Sequence, residues 1–318
     1  MKRREFLGVL GGTAAWPVVA RAQQRVPVIG FLRVGTPPPS FIDPLRAGLK
    51  DLGYIEGQNF RFVFAIANEV AELPRLAAGL ATSVDVLVAS GTPAVIPARN
   101  ATTTTPIIFV AAIDPVATGV VASLARPGGN VTGLSAVFSD LTGKRLELLK
   151  ELLPSLNRAA LLSRPANPGH FQYVHQIQMA ARILRVELEV MAANNPDDFE
   201  AEFKRVRGVG ALVQIDDALF TAHRQKLVEL ANRYRIPGAY GFREFVEAGG
   251  FMAVGPSYSE LYRRCASYLD RILKGARPAD LPVELPSKFE FILNMKTAKA
   301  LGLAISPALL ARADEVIE

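Results

Sequence analysis

Between Asp85 and Asp114 an apolar, β-branched run (Val86 to Val88) breaks at Ser90-Gly91-Thr92-Pro93. A short helical stretch follows, and a second apolar run (Ile107 to Val110) leads to Asp114. That is a strand, turn, helix, strand unit, and parallel strands joined this way need a helical crossover. The unit sits inside a longer alternation. Strand-like runs at 26–32 and 60–66 precede it, with helical patterns at 41–52 and 70–81 between them. After the break Arg126-Pro127-Gly128-Gly129-Asn130 the alternation resumes at 131–134 and repeats through a second half, with strands near 159–162, 186–190, 211–215 and 238–240. A continuous helix is expected over 219–234, and the helix over 170–184 is expected to bury Phe171, Val174, Ile177, Ala181 and Leu184. Such repetition predicts an α/β protein of two doubly wound, Rossmann-like lobes with parallel sheets, facing one another across a cleft.

The boundaries that follow are lobe one at 26–135, lobe two at 136–255, and a returning segment at 256–318 packing mainly on lobe one. Strands added after two complete lobes imply that the chain crosses between them more than once. The chain has 318 residues, half of them apolar, which is enough for a two-domain core.

Lys2-Arg3-Arg4-Glu5-Phe6-Leu7 opens a small-residue, apolar stretch that closes at Ala20-Arg21-Ala22. This is the pattern of a twin-arginine signal peptide with an A-x-A cleavage site, so residues 1–22 are expected to be removed. Export to the periplasm follows. The peptide carries four basic residues and one acidic, leaving 32 basic against 29 acidic of the original 36 and 30. With the remaining charges interspersed and no basic arm, nucleic acid is not an expected partner. Cys265 is the only cysteine, which excludes an internal disulfide and a cysteine zinc site, and none stands at the cleavage site to take a lipid anchor.

Polar residues just past strand ends face the crevice where parallel sheets bind ligands. Ser90, Gly91, Thr92 and Pro93 form a turn that suits a helix start. There Thr92 can cap, and free amides with the helix dipole can receive a carboxylate. Asp114, one strand along, is the candidate partner for an ammonium. In the second half, Asp216 and Asp217 follow a strand, one to cap a helix and the other to face the cleft. Asn167 is either a turn residue or a polar contact, and Tyr240 and Phe242 can stack on a solute or serve as core. Ser257-Tyr258-Ser259-Glu260 reads as a capping box. The histidines at 170, 175 and 223 lack metal-ligand spacing and read as solvated helix positions. No catalytic nucleophile pattern, Walker loop or dinucleotide fingerprint is present, so neither cofactor, metal nor catalytic residue is expected.

Several motifs together closely resemble the bacterial ABC-transporter substrate-binding proteins of the tryptophan/tyrosine-type family, which have the type I periplasmic-binding-protein fold. They are Glu56-Gly57-Gln58-Asn59, Ala89-Ser90-Gly91-Thr92-Pro93-Ala94, Asp114-Pro115-Val116, Ala125-Arg126-Pro127-Gly128-Gly129-Asn130-Val131-Thr132-Gly133-Leu134, Gly143-Lys144-Arg145-Leu146-Glu147-Leu148-Leu149-Lys150, Tyr240-Gly241-Phe242-Arg243-Glu244-Phe245-Val246 and the run from Leu293 to Leu303. The resemblance implies a monomer that captures a small solute, an amino acid or an aromatic or carboxylate compound, and delivers it to an inner-membrane ABC permease with its ATPase. A ligand sensor for a signalling receptor and a periplasmic enzyme are the rival readings. Two loops depart from the pattern. Arg33-Val34-Gly35-Thr36-Pro37-Pro38-Pro39 carries an arginine and extra prolines, and Ser163-Arg164-Pro165-Ala166-Asn167-Pro168 has Ser-Arg where an aromatic or aliphatic residue and then a small or polar one are expected. Both should line the cleft, so the ligand can differ from an aromatic amino acid.

Overall fold

The computed structural model describes residues 26–136 and 139–318; the expected export segment lies outside them. Lobe one runs β1 (Val28–Val34), α1 (Pro39–Asp51), β2 (Arg61–Ala67), α2 (Leu73–Ala81), β3 (Val86–Ser90), α3 (Thr92–Ala101), β4 (Ile107–Ala112) and β5 (Val131–Ser135). Its five strands are parallel in the order β2-β1-β3-β4-β5. β1 and β3 are buried along their whole length, as expected of strands covered by helices on both faces, whereas the edge strand β2 is partly exposed.

Lobe two comprises α4 (Ser139–Leu152), β6 (Arg158–Ser163), α5 (His170–Leu184), β7 (Glu187–Ala192), α6 (Asp198–Arg205), β8 (Ala211–Gln214), α7 (Ala218–Ala222), α8 (Arg224–Arg233), β9 (Gly238–Tyr240), α9 (Arg243–Glu247) and β10 (Met252–Pro256). The chain then forms α10 (Tyr258–Leu273), β11 (Phe289–Asn294), α11 (Met295–Leu301), α12 (Pro307–Leu310) and β12 (Glu315–Ile317). The second sheet is ordered β12-β11-β10-β9-β8-β6-β7, so β7-β6-β8-β9-β10 repeats the winding of lobe one. Each sheet therefore has a switch point, between β1 and β3 and between β6 and β8, where the loops diverge and leave a crevice.

Two expectations need correction. The segment 256–318 does not pack mainly on lobe one: α10 does, lying along α1, but β11 and β12 extend the lobe-two sheet. The second sheet is also not wholly parallel, because β11 runs antiparallel to β10. The α10 pattern explains its placement, since Leu261, Tyr262, Cys265, Ala266, Tyr268, Leu269 and Ile272 form one buried face. α1 answers with Phe41, Leu45 and Leu49, while Leu52 stays exposed. Gly48 lets the two helices approach, because a Cβ there would meet the Arg263 carbonyl at 2.7 Å and Ala266 Cβ at 2.8 Å.

Local chemistry shifts other boundaries. The helix expected over 219–234 breaks at His223 into α7 and α8. Ser257 caps α10 without a side-chain cap bond; its hydroxyl lies 3.1 Å from the Ser259 hydroxyl instead. On α5 the buried residues are His170, Tyr173, Ile177 and Ala181, and Phe171 points outward with 85% of its surface exposed. The helix face is rotated by one residue because His170 is drawn into a polar cluster at the lobe-two strand ends.

The chain passes between lobes three times: after Ala136, at Ser257, and between Glu284 and Phe289. Ser257 N–H donates to the Lys288 carbonyl (3.0 Å), and Ser135 N–H to that of Glu284 (2.8 Å), so the crossings lie side by side. Among the described residues no helix is long and apolar enough to cross a membrane.

Candidate functional site

The carboxyl ends of both sheets meet at a narrow cleft of about 370 Å³, counted out to open solvent. The enclosed room is only about 30 Å³, far below the ~300–1,000 Å³ of small-molecule sites, so the lobes must part to admit a solute. The lobes touch here. Ser40 donates to the buried carboxylate of Glu244, and the Phe242 ring packs edge-on against Phe41 (6.3 Å) and Tyr258 (4.1 Å). Burial pushes the Glu244 carboxyl up, although the Ser40 bond opposes this. Gly35 of lobe one sits against Ala222, and Gly169 of lobe two against Ile113.

On the lobe-one side the dominant group is Arg33, at the end of β1 and only 2% exposed. Its Nη1 donates to Ser90 Oγ (3.0 Å) and toward the Tyr262 hydroxyl (3.4 Å), and its guanidinium lies 5.1 Å from the Phe41 ring centre. Among the described residues Nε has no partner and no carboxylate pairs with this arginine. A buried guanidinium without a counter-ion is costly unless something else supplies the negative charge.

On the lobe-two side two aspartates divide the work. Asp216 lines the cleft; its Oδ2 accepts from Arg145 Nη2 at 2.9 Å, while its Oδ1, buried beside Gly241, has no donor among the described residues. Arg145 is held by the carbonyls of Val254 (2.7 Å) and Gln214 (2.9 Å). Asp217 Oδ1 accepts Leu219 N–H (2.7 Å) and so caps α7, and its Oδ2 accepts Asn167 Nδ2 (2.7 Å). Arg164 Nη1 and His170 Nε2 each approach Asp217 to 3.4 Å. His170 Nδ1 accepts the Arg164 N–H (2.9 Å), which leaves the ring proton on Nε2.

Burial alone would raise the Asp217 carboxyl. The hydrogen bonds from His170 and Asn167 and the charge of Arg164 outweigh it and hold the group below the ordinary carboxylate range. A folded-state value below the unfolded one contributes stability above the unfolded pKa and loses it as pH falls through the folded one. That contribution is present at neutral pH and is lost as pH falls below about 4. Denaturant titrations across that range should show this loss in the native protein and a flatter profile in Asp217→Asn.

Eight of the ten residues singled out from the sequence line the cleft: Ser90, Gly91, Thr92, Pro93, Asn167, Asp216, Asp217 and Phe242. Their local roles differ from expectation. Gly91, at φ 82°, is the N-cap of α3, and Thr92 Oγ1 instead accepts Ile113 N–H (2.8 Å), tying the turn to the end of β4. The amides there are mostly spent. Gly91 N–H goes to the Val110 carbonyl, those of Ala94 and Val95 go to Gly91, and Pro93 has none, which leaves that of Thr92. Asp114 and Tyr240 are not in the cleft wall. Asp114 Oδ1 accepts Ala117 N–H (3.0 Å) and closes its own turn. Tyr240 is core, stacked on Phe245 at 4.7 Å at the end of β9, whereas Phe242 lies past the strand, at the N-cap of α9, and lines the cleft.

Sequence reasoning passed over Tyr262, read Phe41 as a helix-face residue, Tyr258 as part of a capping box and His170 as solvated, and met Arg145 only within a motif carrying the resemblance. Only the departure at Arg33 and Arg164 signalled the buried arginines.

A family model for ABC transporter substrate binding proteins matches residues 40–317. The chain belongs to this family. Among curated relatives of this substrate-binding protein is a tyrosine-binding protein from Clostridioides difficile, 28% identical over 80% of this chain and 74% of that one. Among solved structures, a conserved domain protein from Vibrio cholerae covers 92% of this chain and 100% of its own at TM-score 0.86 and 26% identity. An ABC domain in complex with L-Trp from Streptococcus pneumonia covers 92% and 99% at 0.85 and 25%. A ligand-free, open substrate-binding protein from Clostridium difficile covers the same shares at 0.64 and 24%. Type I periplasmic binding proteins share the two-lobed α/β fold at lower identity.

Proposed function

We propose that this substrate-binding protein is exported and encloses an amino acid or an aromatic carboxylate between its lobes. It then presents the closed form to an ABC permease in the inner membrane and releases the solute unchanged. The observation that carries this reading is a pair of groups left unmet by the described residues: Arg33 on lobe one lacks a counter-ion, and Asp216 Oδ1 on lobe two lacks a donor. A carboxylate on Arg33 and the Thr92 amide, with a donor on Asp216, would satisfy both, and Phe41, Phe242 and Tyr258 offer an aromatic wall to the solute's body. Only a solute touching both lobes favours closure, which is what these groups require of it. The higher similarity to the L-Trp complex than to the open, ligand-free relative agrees with a closed arrangement of this kind. Export rests on the N-terminal motif and permease delivery on the family.

Thermal unfolding against a panel of amino acids, aromatic acids, sugars and small peptides tests the reading. A ligand at a hundred times its Kd adds about 2.7 kcal/mol of stability. No shift with any charged solute, but one with a sugar, would sink it. Asp216→Asn should weaken the best ligand roughly ten- to hundredfold, the worth of a bond to a charged group. Asp114→Ala should leave affinity unchanged, and titration calorimetry on both variants checks the contrast.

A further inference from the structure

Among the described residues the charges around the cleft do not balance. Three guanidinium groups, Arg33, Arg145 and Arg164, meet two carboxylates, Asp216 and Asp217. His170 adds none, since its Nδ1 serves as an acceptor. Beyond the lining, Arg224 lies near Glu244, and the two offset one another. Arg145 already neutralises Asp216, and Arg164 neutralises Asp217, so the surplus resides on Arg33.

We propose that the cleft selects net-anionic carboxylates, and that it takes an aryl hydroxy acid ahead of the zwitterionic amino acid with the same side chain. This rests on the binding reading above and names its solute class. A carboxylate of either compound can meet Arg33. The two differ at Asp216. An amino acid places an ammonium beside a carboxylate whose charge Arg145 has already met at 2.9 Å, and the closed site keeps an excess positive charge. A hydroxyl donates the one hydrogen bond that Oδ1 lacks and brings no charge, so the enclosed site becomes neutral. In a dry cleft between lobes that difference is large, because an unbalanced charge is poorly solvated there. The aromatic wall is the same for both compounds, so the side chain does not decide between them.

Titration calorimetry with L-phenyllactate, 3-phenylpropionate and L-phenylalanine on the purified protein tests the assignment. Phenyllactate should bind at least about tenfold tighter than phenylalanine. Phenylpropionate, which keeps the charge and lacks the donor, should fall between them. Arg33→Gln should shrink the preference for phenyllactate over phenylalanine toward unity, while Arg33→Lys, which keeps the charge, should retain it; circular dichroism confirms that each variant is folded. Phenylalanine binding as tightly as phenyllactate, or tighter, overturns the inference and leaves the solute-binding reading standing. Binding of none of the three overturns the aryl class, and silence across the wider thermal panel removes the binding reading as well.

Discussion

Asp217→Ala is expected to be among the most destabilising single changes in lobe two, lowering unfolding free energy by about 3–5 kcal/mol, the scale for breaking a buried ion pair from one side. The carboxylate is buried, and four groups converge on it: the Leu219 amide, Asn167, Arg164 and His170. Alanine leaves Arg164, itself 3% exposed, without its counter-ion and uncaps α7. Asp217→Asn should cost less, because its amide oxygen can still accept the Leu219 N–H. Urea unfolding at neutral pH measures both, and an alanine variant within 1 kcal/mol of the native protein would show that the cluster does not hold the loop ends together.

Gly35→Ala is expected to weaken ligand binding roughly 5- to 150-fold, corresponding to the ~1–3 kcal/mol of overpacking at a closed seam. A Cβ at Gly35 would lie 2.3 Å from Ala222 Cβ, an atom fixed to the helix backbone of α7 and unable to swing aside. The lobes would have to part to relieve the overlap. Gly35 also has φ 69°, which costs an L side chain ~1–2 kcal/mol. That strain acts on open and closed forms alike, so it lowers stability without touching affinity. Gly53→Ala separates the two effects. Gly53 has φ 87° with nothing within 4 Å of its would-be Cβ, so its alanine variant should lose stability and keep full affinity. Equal affinity in both variants would mean that closure does not bring Gly35 onto α7.

The site was legible where chain-local chemistry places it. A polar residue after a parallel strand must emerge at the crevice, so Ser90 through Pro93, Asp216, Asp217 and Phe242 could be named from strand ends alone. Asp114 met the same criterion and failed it, because the left-handed turn at φ 37° directs its carboxylate onto Ala117 N–H. Tyr258 and Tyr262 were illegible for the opposite reason. They sit on a helix far along the chain, and only the return of α10 to α1 carries them under the cleft.

The order of strands and helices, the two-lobed winding and the crevice follow from period and punctuation along the chain, because backbone hydrogen bonding and apolar periodicity are local properties. Which charge finds which partner was decided only by the tertiary structure. Arg145 and Arg164 become neutralised and Arg33 does not, although nothing in the neighbouring residues distinguishes them. Side-chain pairing depends on distances between elements that are remote in sequence, and the same arginine is a solvated surface charge or a buried, unmatched one according to what packs over it.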